Sequence, residues 1–239
     1  MFDARMFDKP LSRRKHKDYN EELALLILKQ CFPGQFSNLT KKDAPDLQDI
    51  NGRIGIEVVE AIEMKKAEID GVFSNRRIDN SSITYEKCKE IIEKNGGELD
   101  EYGITYPVIT NIDEKNIIQN AIRKKIKKYK EYKAKGFEEL SLFVLFNEPI
   151  VPVEIHVLKR YFSEPFEDVS ETYKRLFFLS VGLLFIYEIK EDKMQMIKIG
   201  REEYDDLLYQ ARINIEGPNL AKGDFVWEKK QESIFLKFY

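Results

Sequence analysis

A nearly continuous apolar run, LSLFVLF at 140–146, is the feature that most limits how this chain can fold. Successive side chains of a strand point to opposite sides of the sheet, so a strand without polar alternation must be covered on both faces. Helical patterns lie before and after this run, and three strand-like segments follow it: RLFFLSV, LLFIYEI and MQMIKI. The sequence therefore predicts an α/β protein with a mixed central β-sheet flanked by helices.

Several further elements follow from local patterns. Segments with helical apolar spacing or helix-ending signals are 20–30, 61–73, 84–95, 113–135, 153–162 and 201–212. Asn51-Gly52 lies between two apolar segments, which predicts a hairpin that pairs 47–50 with 54–57. A short strand is expected at 105–109, and DFVWEKKQESIFLKFY at 224–239 is expected to add a strand or a pair of strands.

Length and composition indicate one large globular domain. The chain has 239 residues, of which 43% are hydrophobic and 34% charged. Residues 1–18 are polar and basic and are interpreted as a loosely held arm, with 19–239 as a single domain that ends in a C-terminal extension. No apolar window is long enough to cross a bilayer, so we expect no association with membranes. No signal peptide precedes the two cysteines, which indicates reduced thiols in a cytoplasmic protein.

Glu57 is a charge inside an apolar strand, and such a carboxylate needs a partner. If the predicted hairpin forms, Asp46 lies near the end of the partner strand and approaches Glu57. Two close carboxylates suit Mg²⁺ or Mn²⁺, because hard cations prefer oxygen ligands and Mg²⁺ takes only one or two protein carboxylates. A metal held in this way activates water and polarises a phosphate, which is the chemistry of phosphodiester hydrolysis.

The pattern Pro45-Asp46, a turn, and then Glu57-Val58-Val59 resembles the core of the PD-(D/E)XK, or restriction-endonuclease-like, nuclease superfamily. That signature is Pro-Asp, a spacer with a turn, and Asp or Glu two residues before a lysine. The resemblance covers residues 19–61 and extends loosely to the strand at 140–146. It implies a restriction-endonuclease-like core and a Mg²⁺-dependent nuclease that acts on DNA, with Asp46 and Glu57 as metal ligands.

The resemblance also implies a third carboxylate on the preceding helix and a lysine after Glu57. Glu21 and Glu22 both match the helical position, and Glu22 is preferred because it leads directly into the buried run. Val59 stands where the family has the lysine that orients the attacking water. Some members carry this lysine on a neighbouring helix, and the candidates here are Lys124, Lys125, Lys128, Lys65 and Lys66. We expect Lys125 and Lys128 to take part in catalysis.

Basic residues also indicate how nucleic acid would bind. Contacts to phosphates supply most of the non-specific affinity for nucleic acid. The candidates lie on the lysine-rich helix and in the basic N-terminal segment: Lys124, Lys127, Lys128, Arg13 and Arg14. The more usual explanation of such residues is a solvated helix face and a solvated tail. The sequence leaves open a homodimer.

Two other functions fit the sequence. The missing lysine favours a protein of the same fold that binds nucleic acid or a protein partner without cleavage. An unrelated α/β protein would use its lysine-rich helix only for solubility. His16 and His156 show no metal-ligand spacing, and neither a Walker A loop nor a GxGxxG motif follows a strand, which argues against P-loop and dinucleotide-binding sites.

Overall fold

The structure is a computed structural model that describes residues 11, 13–77, 82–99, 103–106, 111–150 and 155–217. Its helices are α1 Arg13–Cys31, α2 Pro33–Phe36, α3 Met64–Arg77, α4 Tyr85–Lys94, α5 Asn111–Ile126, α6 Tyr129–Ala134, α7 Ile155–Ser163 and α8 Arg201–Glu216, with a 3-10 turn at Glu164–Phe166. Its strands are β1 Leu39–Lys41, β2 Leu47–Asp49, β3 Ile54–Glu60, β4 Glu98–Leu99, β5 Ile104–Thr105, β6 Glu139–Phe146, β7 Arg175–Ser180, β8 Leu183–Glu188 and β9 Lys193–Lys198.

Within the described residues, seven strands form one mixed sheet in the order β1-β2-β3-β6-β7-β8-β9. β6 is parallel to β3 on one side and to β7 on the other, and the outer pairs are antiparallel. β4 and β5 form a separate two-stranded sheet. The predicted mixed sheet with flanking helices is therefore confirmed.

The buried run at 140–146 is the centre of the sheet, and its side chains enter two cores. Leu142 and Val144 pack with residues of α5, α6 and α7 on one face. Phe143 and Leu145 pack with residues of α1 and α8 on the other face. Coverage on both faces explains why this strand carries almost no polar residue.

The predicted hairpin is present, with Asn51 and Gly52 in its turn. Gly52 adopts a φ of 67°, which a residue without a side chain does at little cost. Asp49 Oδ1 accepts the N–H groups of Arg53 at 2.7 Å and Ile54 at 2.8 Å, so a local side chain also holds the turn. Leu47 pairs with Ile56 across the two strands.

Several predicted boundaries were wrong. α1 begins at Arg13 instead of residue 20, so the part of the supposed loose arm from residue 13 onwards is helical. The helix predicted over 113–135 is two helices, because α5 ends at Ile126 and α6 begins at Tyr129. The predicted strand at 105–109 lies partly, and the strand pair at 224–239 wholly, outside the described residues. Within the described residues, no helix is long and apolar enough to cross a membrane.

Candidate active site

Asp46 directly precedes β2, the first strand of the hairpin, and the pairing of this strand fixes its position. The pairing of Leu47 with Ile56 puts Asp46 opposite Glu57 on the neighbouring strand. Asp46 is 4% exposed, and its Oδ2 accepts the backbone N–H of Val58 at 2.8 Å. The close approach depends on Gly55, because a Cβ there would lie 2.6 Å from Pro45 Cγ. The structure therefore brings the two predicted carboxylates to adjacent positions of the sheet.

Glu57 is 1% exposed and is surrounded by donors from α5, α6 and the junction between them. Its Oε1 accepts from Lys125 Nζ at 2.5 Å and from Lys128 Nζ at 3.0 Å. Its Oε2 accepts from the Tyr132 hydroxyl at 2.7 Å. Val59 is on the same side of β3 and packs into the core beside α5. Lys125 of α5 and Lys128 of the junction are therefore the cations next to Glu57.

These contacts set the protonation state of Glu57. Burial acts to raise the pKa of Glu57, but the nearby Lys125 charge and the hydrogen bonds from Lys125, Tyr132 and Lys128 lower that pKa below its ordinary value. Burial, together with the hydrogen bond to Glu57 and its charge, raises the pKa of Tyr132, so its hydroxyl stays protonated as a donor. Glu57 is therefore a carboxylate at neutral pH.

A second set of charges approaches Asp46 from α1. Lys17 Nζ lies 3.1 Å from Glu21 Oε1 and 3.5 Å from Asp46 Oδ1. Burial and the charge of Asp46 raise the pKa of Glu21, while Lys17 acts to lower it. Sequence reasoning missed Lys17, although its spacing of four residues from Glu21 on a helix is the signal that could have revealed it.

Glu22, the acidic residue preferred from the sequence, points elsewhere. Its Oε1 accepts from Asn214 Nδ2 at 2.7 Å, and its Oε2 lies 3.5 Å from Lys41 Nζ. Glu22 therefore contacts α8 and β1, and Glu21 is the helix carboxylate next to Asp46. The choice of Glu22 was wrong because one step along a helix turns a side chain by about 100°.

Among the described side chains, the other predicted basic residues make no hydrogen bond or ion pair with Asp46 or Glu57. Lys66 pairs with Glu148 and lies over the ring of Tyr106. Of these residues, Lys65, Lys124, Lys127 and Arg14 are exposed, and nothing is described of the Arg13 side chain. Of the proposed replacements for the missing lysine, only Lys125 and Lys128 contact Glu57 in the described structure.

Asp46 and Glu57 offer the oxygen ligands that Mg²⁺ prefers, and two carboxylates are a usual number for this ion. However, three carboxylates (Glu21, Asp46 and Glu57) already lie beside three ammonium groups (Lys17, Lys125 and Lys128). In the part of the chain that the structure describes, no three Asp, Glu, His or Cys side chains are grouped to hold a metal ion. The donor chemistry fits Mg²⁺, provided that a lysine withdraws from Glu57.

Comparison of the chain with protein-family models, with curated proteins and with solved structures gives no significant match. The case for a function therefore depends on the geometry of these side chains.

Proposed function

We propose that this protein is a metal-dependent nuclease that hydrolyses phosphodiester bonds in DNA. The observation that supports the proposal most directly is the contact of Lys125 and Lys128 with buried Glu57. These lysines come from a neighbouring helix and its junction, where the family resemblance allows the lysine missing at Val59 to lie. The restriction-endonuclease-like core remains part of the proposal.

In this proposal Asp46 and Glu57 hold Mg²⁺ or Mn²⁺, which when bound would polarise a phosphate and activate water. Lys125 is 12% exposed and stays on Glu57 as its counter-ion. Lys128 is 46% exposed, so it leaves Glu57 at lower cost and contacts the phosphate. Tyr132 keeps Glu57 in place through its hydrogen bond to Oε2.

The main test is cleavage of supercoiled plasmid and of oligonucleotides with Mg²⁺ or Mn²⁺. We expect Glu57→Gln and Asp46→Asn to lower the rate by at least about 10–100-fold, because that loss is already typical when a second-shell partner of a metal ligand is removed. Asp192→Asn is the matched control, because Asp192 also accepts from a lysine and a tyrosine, Lys159 at 2.7 Å and Tyr187 at 2.8 Å. Absence of cleavage in the wild type, or full activity of Glu57→Gln, would overturn the proposal.

Lys128→Met separates the role of this lysine from that of Lys125. We expect Lys128→Met to lose cleavage while its melting temperature stays near that of the wild type, because half-exposed ion pairs contribute little stability. Full cleavage by Lys128→Met would refute the assigned phosphate contact.

A second candidate is a protein that binds DNA without cleaving it. The observation in its favour is the balance of three carboxylates by three lysines, which makes burial of the acids tolerable without a metal. Salt-sensitive binding to duplex DNA, with no product under any divalent cation, is the result that would select it over the nuclease.

The DNA-binding face can be tested in either case. Lys124, Lys127 and Lys130 are exposed on α5, the junction and α6. Replacing all three by glutamine should make the plot of the logarithm of the DNA association constant against the logarithm of salt concentration less steep. The slope should change by about one for each phosphate that the variant no longer binds. Lys190→Gln with Lys193→Gln, two exposed lysines near the far edge strand β9, is the control and should leave the slope unchanged.

A further inference from the structure

A cavity of about 260 Å³ opens at the carboxyl ends of the parallel strands β3 and β6. Its apolar lining includes Ala61, Ile117 and Phe146, and its polar lining includes Glu60, Asn147 and His16. None of the residues placed around Asp46 and Glu57 lines it. Ligands of open α/β sheets commonly bind outside the carboxyl ends of the strands, so the position is suited to a second site.

Glu60 is held at this cavity by two neutral amides. Asn20 Nδ2 donates to Oε2 at 3.2 Å, and Asn147 Nδ2 donates to Oε1 at 2.7 Å. The two donors come from α1 and from the residue after β6, so they fix the carboxylate from two directions. An ionised carboxylate has about four acceptor positions, so both oxygens can still accept from a ligand.

The charge of Glu60 is not neutralised by lysine or arginine among the described residues. Its one ionic neighbour there is His16, whose Nδ1 lies 3.6 Å from Oε2. Glu57, three residues earlier on the same strand, has two lysines. Because the Glu60 side chain is only 16% exposed, its charge favours a ligand that brings positive charge or N–H donors.

The rest of the lining has the same preference. Glu63, Asp70 and Glu148 add carboxylates, and the lysine in the lining, Lys66, is already paired with Glu148. This excess of negative charge disfavours phosphate and carboxylate ligands. The volume lies below the range of about 300–1,000 Å³ typical of drug-sized ligands, so a single ring or head group fits best.

We propose that this cavity binds a small planar group that presents paired N–H donors to Glu60, of the guanidinium or guanine type. Two parallel N–H groups match the two oxygens of a carboxylate and give a directional, charge-assisted interaction. Apolar side chains such as Ile117 and Phe146 are available to contact the faces of the planar group. The proposal does not depend on nuclease activity.

Calorimetric titration of the full chain with agmatine, guanosine, uridine and inorganic phosphate tests it. We expect a dissociation constant below about 1 mM for agmatine or guanosine, and no binding of uridine or phosphate. Binding of agmatine alone identifies a guanidinium site, and binding of guanosine alone identifies a nucleobase site. No binding of either, or equal binding of phosphate, would overturn the proposal.

Variants then test the role of Glu60. Glu60→Gln keeps the size but removes the charge and one acceptor, and should weaken binding about 10-fold or more. Glu202→Gln, an exposed acid on α8 that does not line the cavity, is the control and should bind as the wild type. If Glu60→Gln does not fold, Asn147→Ala gives a second test. This exposed substitution removes the donor to Glu60 Oε1, so the dissociation constant should differ from that of the wild type. Unchanged binding by a folded Glu60→Gln would refute the assignment.

Discussion

Replacing Lys125 by methionine should destabilise the protein by about 3 kcal/mol. Glu57 is 1% exposed and Lys125 12%, with 2.5 Å between Nζ and Oε1, so the variant leaves a buried carboxylate without its closest cation. Removing one partner of a buried pair costs about 3–5 kcal/mol, and we take the lower end because Lys128 and Tyr132 still donate to Glu57. Methionine keeps most of the apolar stem, so the loss reports mainly on charge.

Urea unfolding and thermal melting measure this loss. For a protein of this size, about 3 kcal/mol corresponds to a melting temperature lower by about 6–12 °C. Lys159→Met is the matched control, because Lys159 lies 2.7 Å from Asp192 but that carboxylate is 62% exposed. Exposed ion pairs contribute about 0–1 kcal/mol, so this variant should melt close to the wild type.

The double variant Glu57→Gln with Lys125→Met distinguishes a stranded charge from a packing defect. If the cost of Lys125→Met comes from the unneutralised carboxylate, neutralising Glu57 should recover part of it, and the two effects should couple by about 1–3 kcal/mol. A loss below about 0.5 kcal/mol for Lys125→Met, or strict additivity in the double variant, would refute the reasoning.

Three further predictions concern the same cluster. Because the pKa of Glu57 is lowered in the folded state, the unfolded chain binds the proton first as the pH falls. The stabilisation is complete above about pH 4.3, the pKa of an unfolded glutamate, and is lost as the pH falls through the folded-state pKa. In urea unfolding at several pH values, the free energy of unfolding should therefore fall less steeply toward low pH for Glu57→Gln than for the wild type. Tyr132→Phe should cost about 1.5–3 kcal/mol in thermal unfolding, because it removes a hydrogen bond to a buried charge, whereas Tyr187→Phe, whose hydroxyl donates to an exposed carboxylate, should cost less. Gly55→Ala should cost about 1–3 kcal/mol and lower any cleavage, because its Cβ would lie 2.6 Å from the proline before the site aspartate, whereas Gly71→Ala meets nothing within 4 Å and should be harmless by both measurements.

Features that depend on neighbouring residues were predicted well from the sequence. The turn at Asn51-Gly52 needs a residue tolerant of positive φ and two flanking strands, all within a dozen residues. The position of Asp46 opposite Glu57 follows from that turn. The buried strand at 140–146 was also readable, because coverage on both faces removes polar residues from the strand itself.

Features set by packing between distant segments were predicted poorly. The apolar residues of α1 at 23–28 go almost all the way round the helix, so their pattern does not show which acidic residue faces the hairpin. That choice is made by tertiary contacts, such as the hydrogen bond from Asn20 to Glu60, forty residues away. The break between α5 and α6 was missed for a similar reason. Neither Lys127 nor Lys128 is a helix-breaking residue, so the sequence pattern predicts one continuous helix.

The two lysines on Glu57 differ in what they say about function. A buried carboxylate needs a cation whether or not the chain cleaves DNA. Lys125, whose carbonyl accepts a hydrogen bond from the Tyr173 hydroxyl, is therefore equally compatible with catalysis and with binding alone. Lys128 is not needed to give each oxygen of Glu57 a hydrogen-bond donor, because Lys125 donates to Oε1 and Tyr132 donates to Oε2. In the proposed nuclease, its position in the exposed junction would let Lys128 move from Glu57 to a phosphate at small cost. Lys128 is therefore the residue whose role differs between the two proposed functions, and it lies outside the strand motif.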